Sequence, residues 1–324
     1  MPTACVTAPH YHQPKHDYYD ILTRAGFEVR FIDPKQHDLS DADTLLAQLD
    51  GAEVTMCSME PYTPEVMSRS NLRVICRFGV GFDAIDVSGA TAENIVVCRT
   101  TGVLQHSVAE QTLALLFGVM RDVVRRDRAV REGKWSQPPL PRLHGKTIGL
   151  LGLGSTGRCV ADKALGLGMK VIAYSPSGRP SPGVEMVSLE QLWRDSDVLS
   201  IHAPLIPETR NIVNADTLAK MKPGSVLINT GRGGHVDEAA LVEALKSGHL
   251  LGAGLDVFQE EPTPADNPLL KLDNVVAAPH IAGGDHEALY DIPVLAAQNV
   301  VDLYEGRWPA ENIVNAEVRP TWKW

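Results

Sequence analysis

The stretch KTIGLLGLGSTGRCVADKALGLG runs a strand-like apolar segment directly into Gly152-x-Gly154-x-x-Gly157 and then into a helix-like segment. Each glycine has its own physical job in such a motif. Gly152 permits a tight turn, Gly154 lets the backbone approach a pyrophosphate, and Gly157 lets the helix pack close to the strand. Ser155 and Thr156 would then present N–H groups and hydroxyls to phosphates at the positive end of the helix. Val160, Ala161, Ala164, Leu165 and Gly168 continue as one inner helical face, the amphipathic pattern that this arrangement needs. The chemistry indicated is dinucleotide binding.

Two nearby features qualify that reading. Gly79-Val80-Gly81-Phe82-Asp83-Ala84 also follows a strand-like run, LRVICRF, but the IDVSGATAENIVV beyond it has little apolar periodicity. Phosphate binding is therefore not expected there. The segment VIAYSPSGRP ends the strand that follows the Gly157 helix. Dinucleotide folds carry an acid there for the adenosine ribose, and this chain offers only Ser175 and Ser177. His10, His12 and His16 cluster in HYHQPKH without a placed carboxylate, so no metal site is expected.

Elements that could position these motifs alternate along the chain. TACVTA, FEVRFID, AEVTMCS, LRVICRF and NIVVCRT read as strands separated by polar or helical stretches. One long helix is predicted from Ser107 to Arg131, basic at its end, where cations suit the helix dipole. The Pro-rich QPPLPRLHG then leads into KTIGLLGL, KVIAYS, VLSIHAP, SVLINT, GAGLDVF and NVVAAPH, apolar runs of the kind buried on both faces of a parallel sheet. A last helix over about 285–305 precedes an extended ENIVNAEV. Two α/β units joined twice are predicted.

Composition narrows the partners. The 324 residues carry a formal net charge of -10 and no basic block, so the phosphate-neutralising stripe of a nucleic-acid binder is lacking. The start has no signal-like run, and the most apolar stretch, Val108 to Met120, is too short to span a bilayer. No membrane association is expected. Five scattered cysteines without CxxC spacing argue against a disulfide framework or zinc knot, and a cytoplasmic location is expected.

The ordered motifs RFGVGFDAID, TTGVLQHSVAEQTLAL, GLLGLGSTG, SIHAPLIPETRNIV, INTGRGGHVDEAAL, GLDVFQEEP and APHIAGG give the chain an end-to-end resemblance to the D-isomer-specific 2-hydroxyacid dehydrogenases. These include phosphoglycerate, glyoxylate and hydroxypyruvate enzymes. The resemblance implies an α/β fold: a Rossmann-type parallel-sheet cofactor domain, 101–290, inserted into a smaller flavodoxin-like substrate domain built from 1–100 and 291–324. It also implies a homodimer formed through the long helix and its neighbouring loops.

The same resemblance implies the site. Hydride exchange with a 2-hydroxy or 2-keto acid needs a proton donor and acceptor, a cation for the carboxylate and an acid that tunes the base. His280 in APHIAGG matches the family's catalytic histidine, Glu261 in DVFQEEP its acid partner, and Arg232 in NTGRGG its substrate arginine. Val80 and Gly81 become substrate contacts, which gives the early glycine loop a different job, and Arg77 stands close enough to meet a substrate phosphate. Val108, Thr209, Thr230 and Asp256 match cofactor-lining positions. NAD-preferring relatives write AYD where this chain has Ala173-Tyr174-Ser175. A hydroxyl there, with Arg179 nearby, favours NADP over NAD because nothing repels the 2′-phosphate. The alternative is a dinucleotide-sensing, corepressor-like binding protein on the same fold. Formate or phosphite oxidation has less support, since formate enzymes carry Gln where this chain has Glu261.

Overall fold

A computed structural model describes residues 1–8 and 16–324. His10 and His12 lie outside the described residues, so the histidine cluster is not described beyond His16. The chain divides into two compact units, one of Met1–Leu104 with His286–Trp324, the other of Gln105–Asp285.

The first unit alternates β1 (Thr3–Val6), α1 (Asp17–Arg24), β2 (Glu28–Phe31), α2 (Ala42–Gln48), β3 (Val54–Cys57), α3 (Pro64–Ser68), β4 (Val74–Arg77), α4 (Val87–Ala92) and β5 (Val96–Cys98). Its parallel sheet has the order β2-β1-β3-β4-β5. Strand residues alternate between faces, so Val54, Met56, Val74, Cys76, Val96 and Cys98 join the core that includes Tyr18 and Leu22 of α1. Ile75, Val97 and Cys57 face the opposite core, which holds Leu45, Val66 and Ala90 from α2, α3 and α4.

The second unit opens with α5 (Gln105–Met120) and α6 (Val123–Arg131). These two replace the single helix predicted over Ser107 to Arg131. Asp122 breaks it with a left-handed φ of 54°, and its carboxylate takes hydrogen bonds from Arg125. Packing explains why the break is tolerated. Leu115, Leu116 and Met120 of α5 are buried, whereas no residue of α6 is, so no core packing holds α6 in line with α5.

There follow β6 (Thr147–Leu151), α7 (Ser155–Gly166), β7 (Lys170–Tyr174), β8 (Val184–Met186), α8 (Leu189–Asp195), β9 (Val198–Ile201), α9 (Ala215–Lys220), β10 (Ser225–Asn229), α10 (Glu238–Lys246), β11 (Leu250–Leu255) and β12 (Val275–Ala277). All seven strands are parallel, in the order β12-β11-β10-β9-β6-β7-β8. One face packs on α5 and α7, the other on α8, α9 and α10. Each fully buried aliphatic side chain in these layers contributes about 1.5–3 kcal/mol. The order reverses between β6 and β9, and open parallel sheets bind ligands beyond the carboxyl ends of the strands at such a reversal. The chain then returns to the first unit through α11 (His286–Tyr304). Ile313, in the segment read as extended, forms an antiparallel bridge to Cys98.

Candidate active site

The Gly152 loop leaves β6 at the strand-order reversal. Gly152 has φ 101°, and a Cβ there would stand 2.6 Å from the Ala203 backbone nitrogen. A Cβ on Gly157 would stand 2.3 Å from the Gly152 carbonyl oxygen. Gly152 is also pinned by its N–H, which donates to the Tyr174 carbonyl at 2.8 Å. Gly154 caps α7 in extended conformation with no neighbour within 4 Å of its would-be Cβ. Crowding beneath the turn with open space above it is the cradle a pyrophosphate needs, and Ser155 and Thr156 open the helix at that point.

His202, unremarked in the sequence reading, follows β9 and lies under this turn. Its Nε2 is 2.8 Å from the Ser200 hydroxyl, and burial pushes its pKa down to about 4. The imidazole beneath the turn is therefore neutral near pH 7.

Val108 and Thr230 are linked through a residue the sequence reading passed over. Thr112, on α5, donates to the Val108 carbonyl at 2.8 Å and lies 2.9 Å from the Thr230 hydroxyl. Its only signal was a polar residue one helical turn beyond Val108 on an otherwise apolar face. Thr209 holds its own turn, its hydroxyl donating to the Pro204 carbonyl at 2.7 Å. Ser175 and Ser177 hydroxyls are 3.2 Å apart at the end of β7. Arg179 is exposed in the same loop.

At the ends of β10, β11 and β12 the second unit assembles an ionic group. His280 Nδ1 donates to Glu261 Oε2 at 2.5 Å, while the other Glu261 oxygen accepts the Phe258 N–H at 2.9 Å. Partial burial pushes the Glu261 pKa up, but the bonds from His280 and Phe258 and the charge of Arg232 outweigh it, so the carboxyl sits below its usual range. An ionised Glu261 fixes the tautomer with hydrogen on Nδ1 when the ring is neutral and leaves Nε2 unprotonated.

His280 adopts a left-handed φ of 52°, uncommon for a residue with a side chain. Asp256 holds it there. The His280 N–H donates to the Asp256 carbonyl at 2.8 Å, and the Asp256 carboxylate accepts from the N–H groups of Ile281 and Ala282 at 3.0 and 2.8 Å. Asp256 is fully buried, and that burial raises its pKa despite the two bonds.

Arg232 lies on the loop after β10. Asn229, another residue the sequence reading missed, clamps that loop: it donates to the Arg232 carbonyl at 2.9 Å and accepts the Gly231 N–H at 3.0 Å. Gly233 lets the loop pass against the Phe258–Gln259 backbone, where a Cβ would stand 1.9 Å from the Phe258 carbonyl carbon. This close approach brings Arg232 into electrostatic range of Glu261.

In the first unit, Gly79 has φ 131° and exchanges two hydrogen bonds with Thr100: its N–H donates to the Thr100 hydroxyl at 2.8 Å and its carbonyl accepts the Thr100 N–H at 2.9 Å. Val80 and Gly81 follow, half-buried, past the ends of β4 and β5. Arg77 bonds the Phe78 carbonyl and reaches the Met59 sulfur at 3.3 Å.

Comparison with known proteins agrees with this chemistry. Residues 113–282 match the family model for the NAD binding domain of D-isomer specific 2-hydroxyacid dehydrogenases. A glyoxylate reductase of Korarchaeum cryptofilum is 42% identical over 80% of this chain and 81% of its own. A hydroxypyruvate reductase of Thermotoga maritima is 46% identical over 67% of this chain and 73% of its own. Among solved structures, the NADPH-dependent glyoxylate/hydroxypyruvate reductase of Sinorhizobium meliloti, in complex with NADP and malonate, superposes with a TM-score of 0.82 at 31% identity, covering 97% of this chain and 96% of that one. These relatives are enzymes, and the corepressor-like alternative is not favoured. With the glycine cradle at the strand-order reversal and an ionised acid behind His280, this chain belongs to the D-isomer specific 2-hydroxyacid dehydrogenases, NAD(P)-dependent oxidoreductases acting on small 2-hydroxy and 2-keto acids.

Proposed function

We propose that the protein reduces a small 2-keto acid of the glyoxylate or hydroxypyruvate type, or oxidises the corresponding D-2-hydroxy acid, with His280 as the proton-transferring residue. The observation that carries this reading is the 2.5 Å bond between His280 Nδ1 and Glu261. A nicotinamide dinucleotide supplies or accepts the hydride when bound. In reduction His280 Nε2 gives its proton to the carbonyl oxygen, and in oxidation it takes the proton back from the hydroxyl. Glu261 stabilises the imidazolium and fixes the ring orientation. Arg232 grips the substrate carboxylate and polarises the adjacent carbonyl, with Val80, Gly81 and Arg77 as further substrate contacts.

The second unit is the cofactor domain in this proposal. Gly152, Gly154, Ser155, Thr156 and Gly157 bind the pyrophosphate, Val108, Thr209, Thr230 and Asp256 line the remainder, and the first unit receives the substrate. NADP is favoured over NAD: Ser175 replaces the acid that would repel a 2′-phosphate, Arg179 is exposed beside it, and the loop SPSGRPSPG holds no carboxylate. A homodimer is supported by apolar side chains left in solvent on and beyond α6, with Val123, Val130 and Trp135 at 52%, 54% and 79% exposure. Five free thiols suit the cytoplasm.

The test is initial-rate kinetics on glyoxylate, hydroxypyruvate, 3-phosphohydroxypyruvate, pyruvate and bulkier 2-keto acids, each with NADPH and NADH. Turnover of glyoxylate and hydroxypyruvate, with NADPH ahead of NADH, is expected. No turnover on the panel would overturn the activity, and equal use of the two dinucleotides would remove the NADP preference alone. Sedimentation equilibrium checks the dimer.

A further inference from the structure

The loop after β7 that carries Ser175 and Arg179 has little to hold it. Pro176, Pro180 and Pro182 lack an N–H, and Gly178 and Gly183 take positive φ angles of 59° and 72°. Within it the backbone makes two bonds, Gly178 N–H to the Ser175 carbonyl at 3.0 Å and Val184 N–H to the Ser181 carbonyl at 3.1 Å. Arg158, the first residue after the glycine motif, reaches across from α7. Its Nη1 donates to the Pro180 carbonyl at 2.8 Å and its Nη2 to the Arg179 carbonyl at 3.1 Å.

One rigid guanidinium fork therefore holds two successive carbonyls, which fixes the peptide unit between Arg179 and Pro180. Lysine, a point donor on a flexible stem, cannot reproduce this. Neither Arg158 nor Arg179 has an acidic partner among the described residues, and no acid lies within residues 175–183. Arg158 is thus a cation directed at backbone, and what it fixes is the backbone bearing the other cation.

We infer that Arg158 is the positioning residue for NADP recognition: by clamping the Arg179 and Pro180 carbonyls it holds Arg179 and the Ser175–Ser177 hydroxyls in the arrangement that receives the 2′-phosphate. This rests on the NADP preference proposed above. A preorganised loop binds more tightly because its ordering is not charged to the binding step, so loss of the clamp falls on NADPH, which uses the loop, and spares NADH.

The experiment pairs dinucleotide binding, read by fluorescence titration of the full-length protein, with hydrogen exchange of the peptide covering 175–184. Arg158→Met is expected to speed exchange in that peptide, to weaken NADPH about 10-fold and to leave NADH within about 2-fold. Arg158→Lys is expected to recover only part of the NADPH affinity. Adding Arg179→Ala to Arg158→Met should cost less than the sum of the two, since both act through one contact. Unchanged exchange in Arg158→Met, or equal weakening of both dinucleotides, would overturn the inference. Exchange that speeds up without loss of NADPH affinity would overturn it as well. A wild-type protein that binds NADH as tightly as NADPH would instead sink the NADP preference, and the exchange result would still report whether the clamp exists.

Discussion

Two loops in this chain leave a parallel strand through a glycine, and they differ in what comes next. After β6 the backbone turns at Gly152 and enters the twelve-residue helix α7 at once. After β4 it turns at Gly79, is tied to Thr100, and runs through Val80 to Phe82 without a helix until Val87. The first geometry aims the N–H groups and positive end of a helix at whatever rests on the turn, which suits phosphate. The second offers loop N–H groups and a neighbouring guanidinium, which suits a carboxylate. Glycine content alone says that the backbone is tightly turned, and the element that follows decides which ligand the turn suits.

The contrast extends to chemistry. The second unit holds the ionic pair, so His280→Ala should lower kcat by about 10²–10⁴-fold, the range for a positioned acid-base group, with dinucleotide affinity within a few-fold. Arg77→Met in the first unit should raise KM for the keto acid and leave kcat within a few-fold. Steady-state kinetics with a dinucleotide titration separates the two. If His280→Ala lost dinucleotide affinity as steeply as turnover, the histidine would be structural; if Arg77→Met collapsed kcat, the assignment of chemistry to one unit would fail.

A second prediction compares the glycines themselves. Gly157→Ala drives a methyl group to 2.3 Å from the Gly152 carbonyl oxygen, a contact with backbone that cannot rotate away, and should cost about 3 kcal/mol or more. Gly79→Ala meets nothing closer than Arg77 Nη1 at 3.4 Å. Its cost is the strain of φ 131°, about 1–2 kcal/mol. Urea unfolding followed by far-UV circular dichroism ranks them, and equal destabilisation would mean that the close packing of strand and helix at Gly157 is no tighter than an ordinary turn.

How much of this was legible in the sequence follows the same physics. Eleven of the twelve strands among the described residues announced themselves as apolar or β-branched runs, the clearest of which, such as TIGLL and VLSI, are buried on both faces. The strand that escaped, Val184–Met186, is short, exposes Glu185 and follows a proline-rich loop, so it had no apolar run to show. The break at Asp122 escaped because VMRDVVRRDRAVR contains neither Gly nor Pro. Its cause is the absence of burial beyond Met120, a tertiary fact. In the site, residues whose side chains match family motifs were named, whereas Thr112, Asn229, Arg158 and His202 were not. Each of these acts by holding another residue's backbone or hydroxyl, and such partners become visible only when chain segments far apart in sequence are brought together.

His202 supplies a third prediction. Its pKa falls from 6.5 to about 4 on folding, so between those values the unfolded chain binds more protons than the folded one. Stability is then full above pH 6.5, declines as pH falls toward 4 and levels off below, a loss of about 3 kcal/mol. His202→Asn removes the titration. The gap in unfolding free energy between the two proteins should move by that amount in the variant's favour between pH 7 and pH 4, and parallel stability curves would place the ring in water instead of under the turn.

The smallest effect on stability is the one that best isolates ligand binding. Gly154 sits in extended backbone, φ -78° and ψ -162°, a conformation that any residue adopts, and nothing lies within 4 Å of its would-be Cβ. Gly154→Ala should therefore change unfolding free energy by less than about 0.5 kcal/mol, since a compatible Gly→Ala change acts mainly by restricting the unfolded chain. Yet the methyl group would occupy the space through which the backbone meets the pyrophosphate, so NADPH and NADH should both weaken, by about 10-fold or 1.4 kcal/mol. Stability retained with both dinucleotides weakened alike is the signature of a phosphate cradle. Unchanged affinity would show that the loop after β6 does no more than the loop after β4, and the distinction between the two glycine turns would be lost.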